Sequence, residues 1–552
     1  MNYTEARNYA NENNTISPGL DNITALCDAL DNLQDKLRII HIAGTNGKGS
    51  VGAFIEAILK KEGLRVGRFS SPAVFDYREQ FTVNGRNIEK PRYAELMEKI
   101  KTAAEERAIN PTPFEKETAL AFLYFFEEKC DFAIIECGMG GRLDATNIVK
   151  SSVAVITPID IDHTKFLGNT IDEIAAEKAG IIKDNGVVVS AKQEESVVKI
   201  LRDTAKARNA EFIIADGEER DISLKGAYQP QNAALAKAVC EKLGISEDSV
   251  KYGLSHAVWR GRFETICENP TFIIDGAHNP NGARALMKSL DLYYKNRKII
   301  YIMGVFADKD YEKIAEITAD RADMIYAITP PNPRGLDNGI LAKTVKKYNE
   351  NVRAVSLDTA VKRCLEEKDA VTVAFGSLSF LSVIKNKVGN YLETEKCSKI
   401  LNNAKFRGIL NRLKNAESDR IYCRHGIEHL LDVARAGYAL ILENGLDIPK
   451  GIIYAAALLH DLGRLAEYEN NIPHEEESAR LAREILPECG YNREETEYIA
   501  DAILNHRTET DKIETLSDVL YEADKRTRMC MMCEAQSTCK WDKYDRNLNI
   551  VI

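Results

Sequence analysis

The strongest constraint on the fold of this chain is the glycine-rich stretch HIAGTNGKGS, residues 41–50. It continues the apolar run KLRII, which is typical of a buried strand, and it runs into SVGAFIEAILKKEGL, whose apolar residues recur at helical spacing. A strand, a glycine turn and a helix in this order point backbone N–H groups at an anion, and a lysine adds positive charge. The stretch therefore predicts a phosphate-binding loop. The residues of that loop are Thr45, Asn46, Gly47, Lys48, Gly49 and Ser50.

The loop departs from the most common pattern of its kind. That pattern has Ser or Thr directly after the lysine, whereas here Gly49 separates Lys48 from Ser50. Ile42 occupies the place of the usual first glycine. A plain strand-to-helix turn with an exposed lysine is the competing interpretation.

Composition limits the classes of protein to consider. The 552 residues are enough for about three or four domains. A formal charge of −10 argues against a nucleic-acid-binding surface. No apolar run approaches the ~20 residues that span a bilayer, and the polar N-terminus lacks a signal peptide's apolar region, so we expect no membrane partner and a cytoplasmic location. The twelve cysteines then indicate reduced thiols or metal ligands.

The pattern of apolar residues changes twice along the chain. Two successive α/β patterns predict domains over residues 1–267 and 268–393, each with a mostly parallel sheet. After a linker at 394–405, residues 406–552 show helical periodicity and almost no strand signal.

Two further polar groups follow buried strands of the first α/β part. Glu136 ends the strand in DFAIIECGMGG, and His163 follows the next strand in DIDHTKFLG. Open α/β sheets bind ligands at the carboxyl ends of their strands, and a carboxylate, an imidazole and a hydroxyl can share one divalent cation. A surface carboxylate and an ordinary loop histidine are the alternative.

The motifs GTNGKGS, CGMGGRLDATN, DHTKFLGNTIDEIAAEKAGIIK, WRGRFE, DGAHNP and FGSL occur in this order. Together they resemble the signatures of the folylpolyglutamate synthase/dihydrofolate synthase family of the Mur ligase superfamily. The resemblance covers about residues 1–393. It implies Mur ligase architecture: an α/β P-loop ATPase-like domain followed by a Rossmann-like α/β domain.

The resemblance also implies a reaction and its site residues. ATP would phosphorylate a carboxylate of a folate or of dihydropteroate, and the amine of L-glutamate would displace the phosphate. The implied Mg²⁺ ligands are Ser71, Glu136 and His163. The implied ATP contacts from across a domain cleft are Asn232, Arg262, Asp275 and His278. The implied catalytic groups are Lys48, Arg262, His278 and Lys178, the last matching a lysine that is carbamylated in relatives.

Three positions depart from the residues that the family usually has, namely Ala73, Tyr228 (in place of histidine) and Arg260. None of them is one of the implied phosphate or metal residues. A Mur-type amino-acid ligase acting on another carboxylate remains the alternative function.

The C-terminal part holds histidines and aspartates at spacings typical of a metal site. LLHDLGR places His460 beside Asp461, which we expect within a helix, and five of the nine histidines lie between His425 and His506. Imidazoles and carboxylates suit Fe, Mn or similar divalent cations. The candidate ligands are His429, His460, Asp461, His474, His506 and Asp524.

This set resembles the HD-superfamily phosphohydrolases, and especially bacterial diadenosine tetraphosphate hydrolases. The resemblance implies an all-α HD domain that hydrolyses a nucleotide or another phosphoester, with Asp461 as a catalytic group. We take His429 rather than His425 as the first ligand because its spacing to Val433 fits the family pattern. A nucleotide-sensing HD module that regulates the ligase, and helix-surface histidines without metal, are the alternatives.

The tail CMMCEAQSTCKW contains Cys530, Cys533 and Cys539. A close CxxC with a third cysteine is typical of a thiolate site, and Cys423 would supply a fourth ligand if the tail folds back on the first HD helix. Zn²⁺ and an iron–sulfur cluster are both compatible with these ligands. Free thiols without metal are the alternative.

Overall fold

The computed structural model describes residues 1–13, 19–162, 164–509, 512–539 and 546–548. Its contacts separate the chain into two compact units, residues 1–385 and 386–552. The first unit is α/β and the second is helical throughout its described secondary structure, apart from turns and short 3₁₀ segments. The predicted succession of two α/β parts and an all-helical HD part is confirmed.

Within the described residues, the first sheet has eight strands in the order β4-β3-β2-β5-β1-β6-β7-β8. The six from β2 to β8 in this order are mutually parallel, and β3 and β4 extend the edge as antiparallel strands. The strands are β1 (Ile39–Ala43), β2 (Val66–Phe69), β3 (Phe81–Val83), β4 (Arg86–Asn87), β5 (Phe132–Glu136), β6 (Ser151–Ile156), β7 (Val187–Ala191) and β8 (Glu211–Ala215).

The centre of this sheet positions the phosphate loop. Strand β1 is buried along its whole length between β5 and β6, as its run of apolar residues requires. The register pairs Ile42 with Glu136, so the carboxyl ends of β1 and β5 meet at one edge. Glu136 therefore lies beside the turn that leaves β1.

A second sheet, six-stranded over the described residues, has the order β13-β12-β11-β14-β10-β9. It is parallel except for β9, which pairs with β10 in the antiparallel sense. Its strands are β9 (Glu264–Glu268), β10 (Thr271–Ile274), β11 (Ile299–Met303), β12 (Met324–Ala327), β13 (Val352–Ala354) and β14 (Val371–Phe375).

Helices connect and cover both sheets. Those of the first unit are α1 (Tyr3–Asn11), α2 (Asp21–Ala29), α3 (Lys48–Lys61), α4 (Lys90–Glu106), α5 (Pro113–Glu127), α6 (Thr164–Leu167), α7 (Ile171–Ala179), α8 (Glu195–Ala207), α9 (Gln229–Lys242), α10 (Glu247–His256), α11 (Pro280–Tyr294), α12 (Tyr311–Thr318), α13 (Asn338–Val345) and α14 (Leu357–Glu366). Helix α15 (Leu381–Asn402) contains the division between the two units. The same helix covers most of residues 394–405, the stretch predicted as a linker, so that stretch is largely helical. The predicted domain boundaries remain predictions.

The second unit buries a core formed by its helices. Helix α17 packs against α18 and α22, and α20 packs against α21. The apolar residues of α18, all small or branched, fill the centre of this core. The helices are α16 (Ala404–Ala416), α17 (Ile427–Glu443), α18 (Lys450–Leu459), α19 (Arg464–Asn470), α20 (His474–Glu488), α21 (Arg493–Asn505) and α22 (Leu516–Arg526).

The expectation that His460 and Asp461 lie within a helix is wrong. Helix α18 ends at Leu459, His460 is its C-terminal cap, and Asp461 lies in the turn that follows. Because the helix ends before them, these two neighbouring side chains do not have to point in the different directions of adjacent helical residues. Both can therefore face the interior of the helical unit. None of the helices in the described part of the chain is long and apolar enough to cross a bilayer.

Candidate functional site

The turn between β1 and α3 depends on two glycines with positive φ. Gly44 has φ of 148° and Gly47 has φ of 93°. A Cβ on Gly44 would lie 1.8 Å from Thr157 Oγ1, and a Cβ on Gly47 would lie 2.6 Å from Asn232 Oδ1. Both positions therefore exclude any side chain, and the helix α3 begins directly after the turn with Lys48.

Two lysines and one carboxylate surround this turn. Lys48 Nζ lies 3.7 Å from Glu136 Oε1 and donates to the carbonyl of Gly44 at 3.3 Å. Lys178, on α7, donates to the same carbonyl at 2.9 Å. Burial, followed by the charge of Lys48, lowers the pKa of Lys178 to about 8. Burial raises the pKa of Glu136, although Lys48 opposes the shift.

Helix α9 supplies a polar cover for the loop. The amide of Gln229, fully buried, donates to Ser50 Oγ at 3.1 Å and accepts from Asn232 Nδ2 at 3.0 Å. These two hydrogen bonds hold the side chain of Asn232 against Gly47. Gln229 was not among the predicted residues, although it stands three positions before Asn232, one helical turn away.

Arg262, Asp275 and His278 come from the second α/β part. Asp275 accepts from the backbone N–H of Phe263 at 2.7 Å and of Ala277 at 2.8 Å, so it fixes the segments that carry the other two residues. His278 Nδ1 donates to the carbonyl of Gly276 at 2.7 Å, which leaves Nε2 as an acceptor. Burial lowers the pKa of His278 to about 4, so its imidazole is neutral near pH 7.

One cavity of about 490 Å³ joins these groups. Its lining includes the predicted residues Thr45, Asn46, Gly47, Lys48, Gly49, Ser50, Ser71, Glu136, Asn232, Arg262, Asp275 and His278. Lys178 lines a smaller adjoining pocket with Lys48. His163 lies outside the described residues.

The lining also includes polar residues that sequence analysis did not assign to the site. Arg284 and Lys288 lie four residues apart on α11 and both face the cavity, and Tyr228 lines it beside Asp275. These two basic residues follow DGAHNP and stand four positions apart, and this spacing could have indicated that both lie on one face of a helix. Burial and the charge of Asp275 raise the pKa of Tyr228, so its hydroxyl stays neutral.

The second unit brings the predicted histidines and aspartates into two overlapping groups, found among the described residues. One group is His429, His460, Asp461 and Asp524, and the other is Asp461, His474 and His506. In each group the candidate donor atoms lie within 4.8 Å of one another. Asp461 belongs to both, and it is 1% exposed.

The two oxygens of Asp461 face different histidines. Oδ2 lies 3.1 Å from His460 Nε2 and 3.4 Å from His429 Nε2, whereas Oδ1 lies 3.5 Å from His474 Nε2. None of these three nitrogens has a hydrogen-bond partner within the described structure. Buried imidazole nitrogens of this kind, facing one carboxylate, are groups that could hold a metal ion.

Backbone carbonyls set the orientation of two of the rings. His460 Nδ1 donates to Ala457 O at 2.8 Å, and His506 Nδ1 donates to Ile503 O at 2.5 Å. Each bond fixes Nδ1 as the donor of its ring, which leaves the lone pair on Nε2. Burial lowers the pKa of His429, but the nearby carboxylates of Asp461 and Asp524 outweigh it and raise the value to about 9.

His425 lies next to this cluster without belonging to either group. Its Nδ1 donates to Glu417 Oε1 at 2.6 Å, and its Nε2 lies 3.9 Å from Asp461 Oδ2. Glu417 also accepts from the hydroxyl of Tyr468 at 2.8 Å. Glu417 is buried and was not predicted, because its partners lie on other segments of the chain.

Comparison with known proteins agrees with this geometry. Residues 42–239 match the Mur ligase middle domain, residues 261–378 match the Mur ligase, glutamate ligase domain, and residues 426–547 match the HD domain. The dihydrofolate synthase/folylpolyglutamate synthase of Bacillus subtilis is 34% identical over 414 residues, which cover 68% of this chain and 95% of that protein. The chain belongs to the folylpolyglutamate synthase/dihydrofolate synthase family of Mur ligases.

Solved structures of the folylpolyglutamate synthase/dihydrofolate synthase family also match. Escherichia coli FolC in complex with DHPP and ADP is 27% identical with a TM-score of 0.64, over 71% of this chain and 98% of that one. A bifunctional folylpolyglutamate synthase/dihydrofolate synthase with Mn, AMPPNP and L-glutamate bound is 30% identical with a TM-score of 0.63, again over 71% and 98%. These matches leave most of the helical unit uncovered.

The steric demand at Gly47 gives a direct test. We expect Gly47→Ala to weaken binding of an ATP analogue by about tenfold or more, since the new methyl must displace Asn232 from the loop. Gly63→Ala is the matched control, because Gly63 also has positive φ, 87°, but faces open space. Isothermal titration calorimetry measures both affinities. Equal loss of affinity in the two variants would contradict this, because it would show a general effect of a side chain at positive φ and not the displacement of Asn232.

Proposed function

We propose that the first unit ligates L-glutamate to a carboxylate of a folate or of dihydropteroate at the expense of ATP. The observation that carries the proposal is one cavity lined by the phosphate loop, Glu136 and Arg262. The relatives with DHPP, ADP and L-glutamate bound support the choice of substrates.

The reaction proceeds in two displacements. An oxygen of the acceptor carboxylate attacks the γ-phosphorus of ATP, ADP leaves, and an acyl phosphate forms. The amine of glutamate then attacks the carbonyl carbon, inorganic phosphate leaves, and the amine loses a proton. Activation is required because a carboxylate is a poor electrophile until one of its oxygens becomes a leaving group.

The residues of the cavity stabilise the negative charge that moves during these steps. Lys48 at the start of α3 and Arg262 from the second α/β part provide cations for the transferred phosphoryl group. Arg284 and Lys288 add positive charge on the same side as His278. Neutral His278 presents Nε2 as a hydrogen-bond acceptor, because its Nδ1 donates to the carbonyl of Gly276, and Asp275 positions the segments on either side of it.

Ser71 and Glu136 fit a magnesium ion. A hydroxyl and a buried carboxylate are hard oxygen donors, and both line the cavity next to the phosphate loop. Bound Mg²⁺ would neutralise charge on the phosphate oxygens. A structure in the family with Mn bound supports a divalent cation.

Lys178 is proposed to carry a carbamate. Its neutral amine would attack CO₂ and lose a proton, which gives an anionic group beside Lys48. The lowered pKa of about 8 favours this step because a larger share of the amine is uncharged near neutral pH.

The ligase proposal predicts ADP release that requires both substrates. With ATP, Mg²⁺, L-glutamate and either dihydropteroate or tetrahydrofolate, we expect turnover, and Arg262→Ala lowers kcat by about 10²–10³-fold because a cation is lost from the phosphoryl group. Arg208→Ala is the control, since Arg208 pairs with Asp184 on the surface. ADP formation with neither acceptor would favour a Mur-type ligase for another carboxylate.

The carbamate proposal predicts a pH-dependent signal. With ¹³C-bicarbonate, we expect a carbamate carbonyl resonance that grows from pH 7 to pH 9, since the amine of Lys178 loses its proton near pH 8. Lys178→Arg removes this resonance. Lys183→Arg is the matched control, because burial also lowers the pKa of Lys183 to about 8. We expect this variant to keep the resonance. A resonance that persists in Lys178→Arg would contradict the assignment.

We also propose that the helical unit is a metal-dependent phosphohydrolase acting on a nucleotide or another phosphoester. The observation that carries this is Asp461, whose two oxygens face histidines of two donor groups. The orphaned nitrogens of His429, His460 and His474 fit a pair of Fe, Mn or similar ions. Such ions would supply Lewis acidity and a water of lowered pKa.

The remaining residues of this unit prepare the site for phosphate. Arg464 donates to Asp461 Oδ1 at 3.0 Å, and Arg528 donates to Asp524 at 3.0 Å. Both guanidinium groups line a cavity of about 660 Å³ together with His425 and His429. His425, oriented by Glu417, is a phosphate contact in this proposal.

The hydrolase proposal predicts that His460→Ala lowers bound Fe or Mn and abolishes cleavage of diadenosine tetraphosphate, while ligase activity is unchanged. His256→Ala is the control, because His256 is an exposed residue of the first unit stacked on Tyr252. Elemental analysis and nucleotide chromatography give the two readouts. Tight nucleotide binding without cleavage by the metal-loaded protein would favour the sensor.

A further inference from the structure

Four cysteines from two separate stretches of the helical unit line one cavity. Cys423 precedes α17, whereas Cys530, Cys533 and Cys539 follow α22, yet all four border the cavity of about 660 Å³ that also contains His429 and Asp524. None of the twelve cysteines, all of them in described parts of the chain, is in a disulfide. Neither the ligase nor the hydrolase chemistry proposed above uses these thiols.

Hydrogen bonds hold the two stretches together. The hydroxyl of Tyr422 donates to the carbonyl of Thr538 at 3.3 Å, so the tail folds back beside Cys423. Arg420 donates to the carbonyl of Cys423 at 2.8 Å, and Arg546 donates to that of Cys539 at 3.0 Å. Gln536 donates to the carbonyl of Cys530 at 2.6 Å. Every segment that carries a cysteine is thus tied down through its backbone, while its sulfur is left to the cavity.

A mononuclear zinc site and an iron–sulfur cluster differ in how far apart they hold their sulfurs. A single Zn²⁺ with Zn–S bonds of about 2.3 Å requires its sulfurs to lie about 3.8 Å apart. Among the described residues, the groups with three or more donor atoms within 4.8 Å of one another contain no cysteine. A cluster of four irons, each with one thiolate, holds its sulfurs further apart than a single ion does.

The charges around the cavity also match an anionic cluster. Arg420, Arg424, Arg528 and Arg546 line it together with the cysteines. A cubane with four thiolates carries net negative charge, which guanidinium groups stabilise. With Arg464, five arginines line the cavity against the three carboxylates of Glu428, Asp432 and Asp524, and Met529, Met532 and Gln536 add uncharged groups.

We propose that Cys423, Cys530, Cys533 and Cys539 bind a [4Fe–4S] cluster. The cluster joins the residues after α22 to the segment before α17, and it thereby closes one side of the cavity that reaches His429 and Asp524. It is separate from the histidine–aspartate metal site, because the two sites share no ligand. The proposal rests on neither proposed enzymatic activity.

The test uses the full-length chain purified without oxygen and reconstituted with ferrous iron and sulfide. We expect about four iron atoms and about four acid-labile sulfides per chain beyond any iron of the histidine site, with a broad visible absorption band that bleaches on reduction. Acid-labile sulfide separates the cluster from iron at His460 and Asp461. His460→Ala therefore keeps both sulfide and absorption.

Cysteine variants identify the ligands. Cys423→Ser and Cys530→Ser lose the sulfide and the absorption band, whereas Cys267→Ser, on β9 of the first unit, keeps them. Ligase activity of each variant reports that the first unit is folded, and circular dichroism reports the helices. Hydrogen exchange over residues 527–539 is expected to rise when the cluster is removed from the unmodified protein.

Three results would overturn the proposal. The first is stoichiometric zinc with no acid-labile sulfide, which would show a mononuclear thiolate site. The second is the absence of bound metal and sulfide after reconstitution, which would show free thiols. The third is a cluster that survives in Cys423→Ser and Cys530→Ser alike.

Discussion

The turn between β1 and α3 exists only where two residues lack side chains. Thr157 closes over Gly44 and Asn232 closes over Gly47, so the backbone of the turn is held between the two neighbours at distances that no Cβ tolerates. Because β1 is the buried centre of its sheet, the turn is fixed at the edge where Glu136 ends β5. Lys48 and Lys178 then meet at the carbonyl of Gly44. The remaining cations of the cavity are arranged around this point.

In the helical unit, the arrangement of the site depends on one carboxylate, that of Asp461. Asp461 is almost fully buried among four histidines, and nearby imidazoles and hydrogen bonds keep its pKa well below the usual value despite burial. A buried anion of this kind is costly unless it is paired, which explains why the surrounding rings present nitrogens without other partners. The two units thus differ in the charges around the centre of the site. The first has cations around the phosphate loop, and the second has imidazole nitrogens around the carboxylate of Asp461.

The sequence predicted the parts of both sites that follow from local spacing. The phosphate loop comes from one strand–turn–helix stretch, and the six histidine and aspartate positions follow from the pattern that resembles the HD superfamily; the structure brings those six into two overlapping groups. Gln229 and Glu417 were missed, and Tyr228 was noticed only as a departure from the family, because each has a partner distant in the chain: Ser50, Tyr468 and Asp275 respectively. The position of His460 at the end of α18 was also missed, since apolar periodicity does not show where a helix stops.

We expect the loop with Lys48 and the guanidinium of Arg262 to hold one triphosphate between them. A crystal structure of the chain with a non-hydrolysable ATP analogue and Mn²⁺ measures this directly. We expect the phosphates to lie against the turn at residues 44–47, the cation to bind Glu136, and Arg262 to contact the γ-phosphate. An analogue bound elsewhere, or Glu136 turned away from the cation, would contradict it.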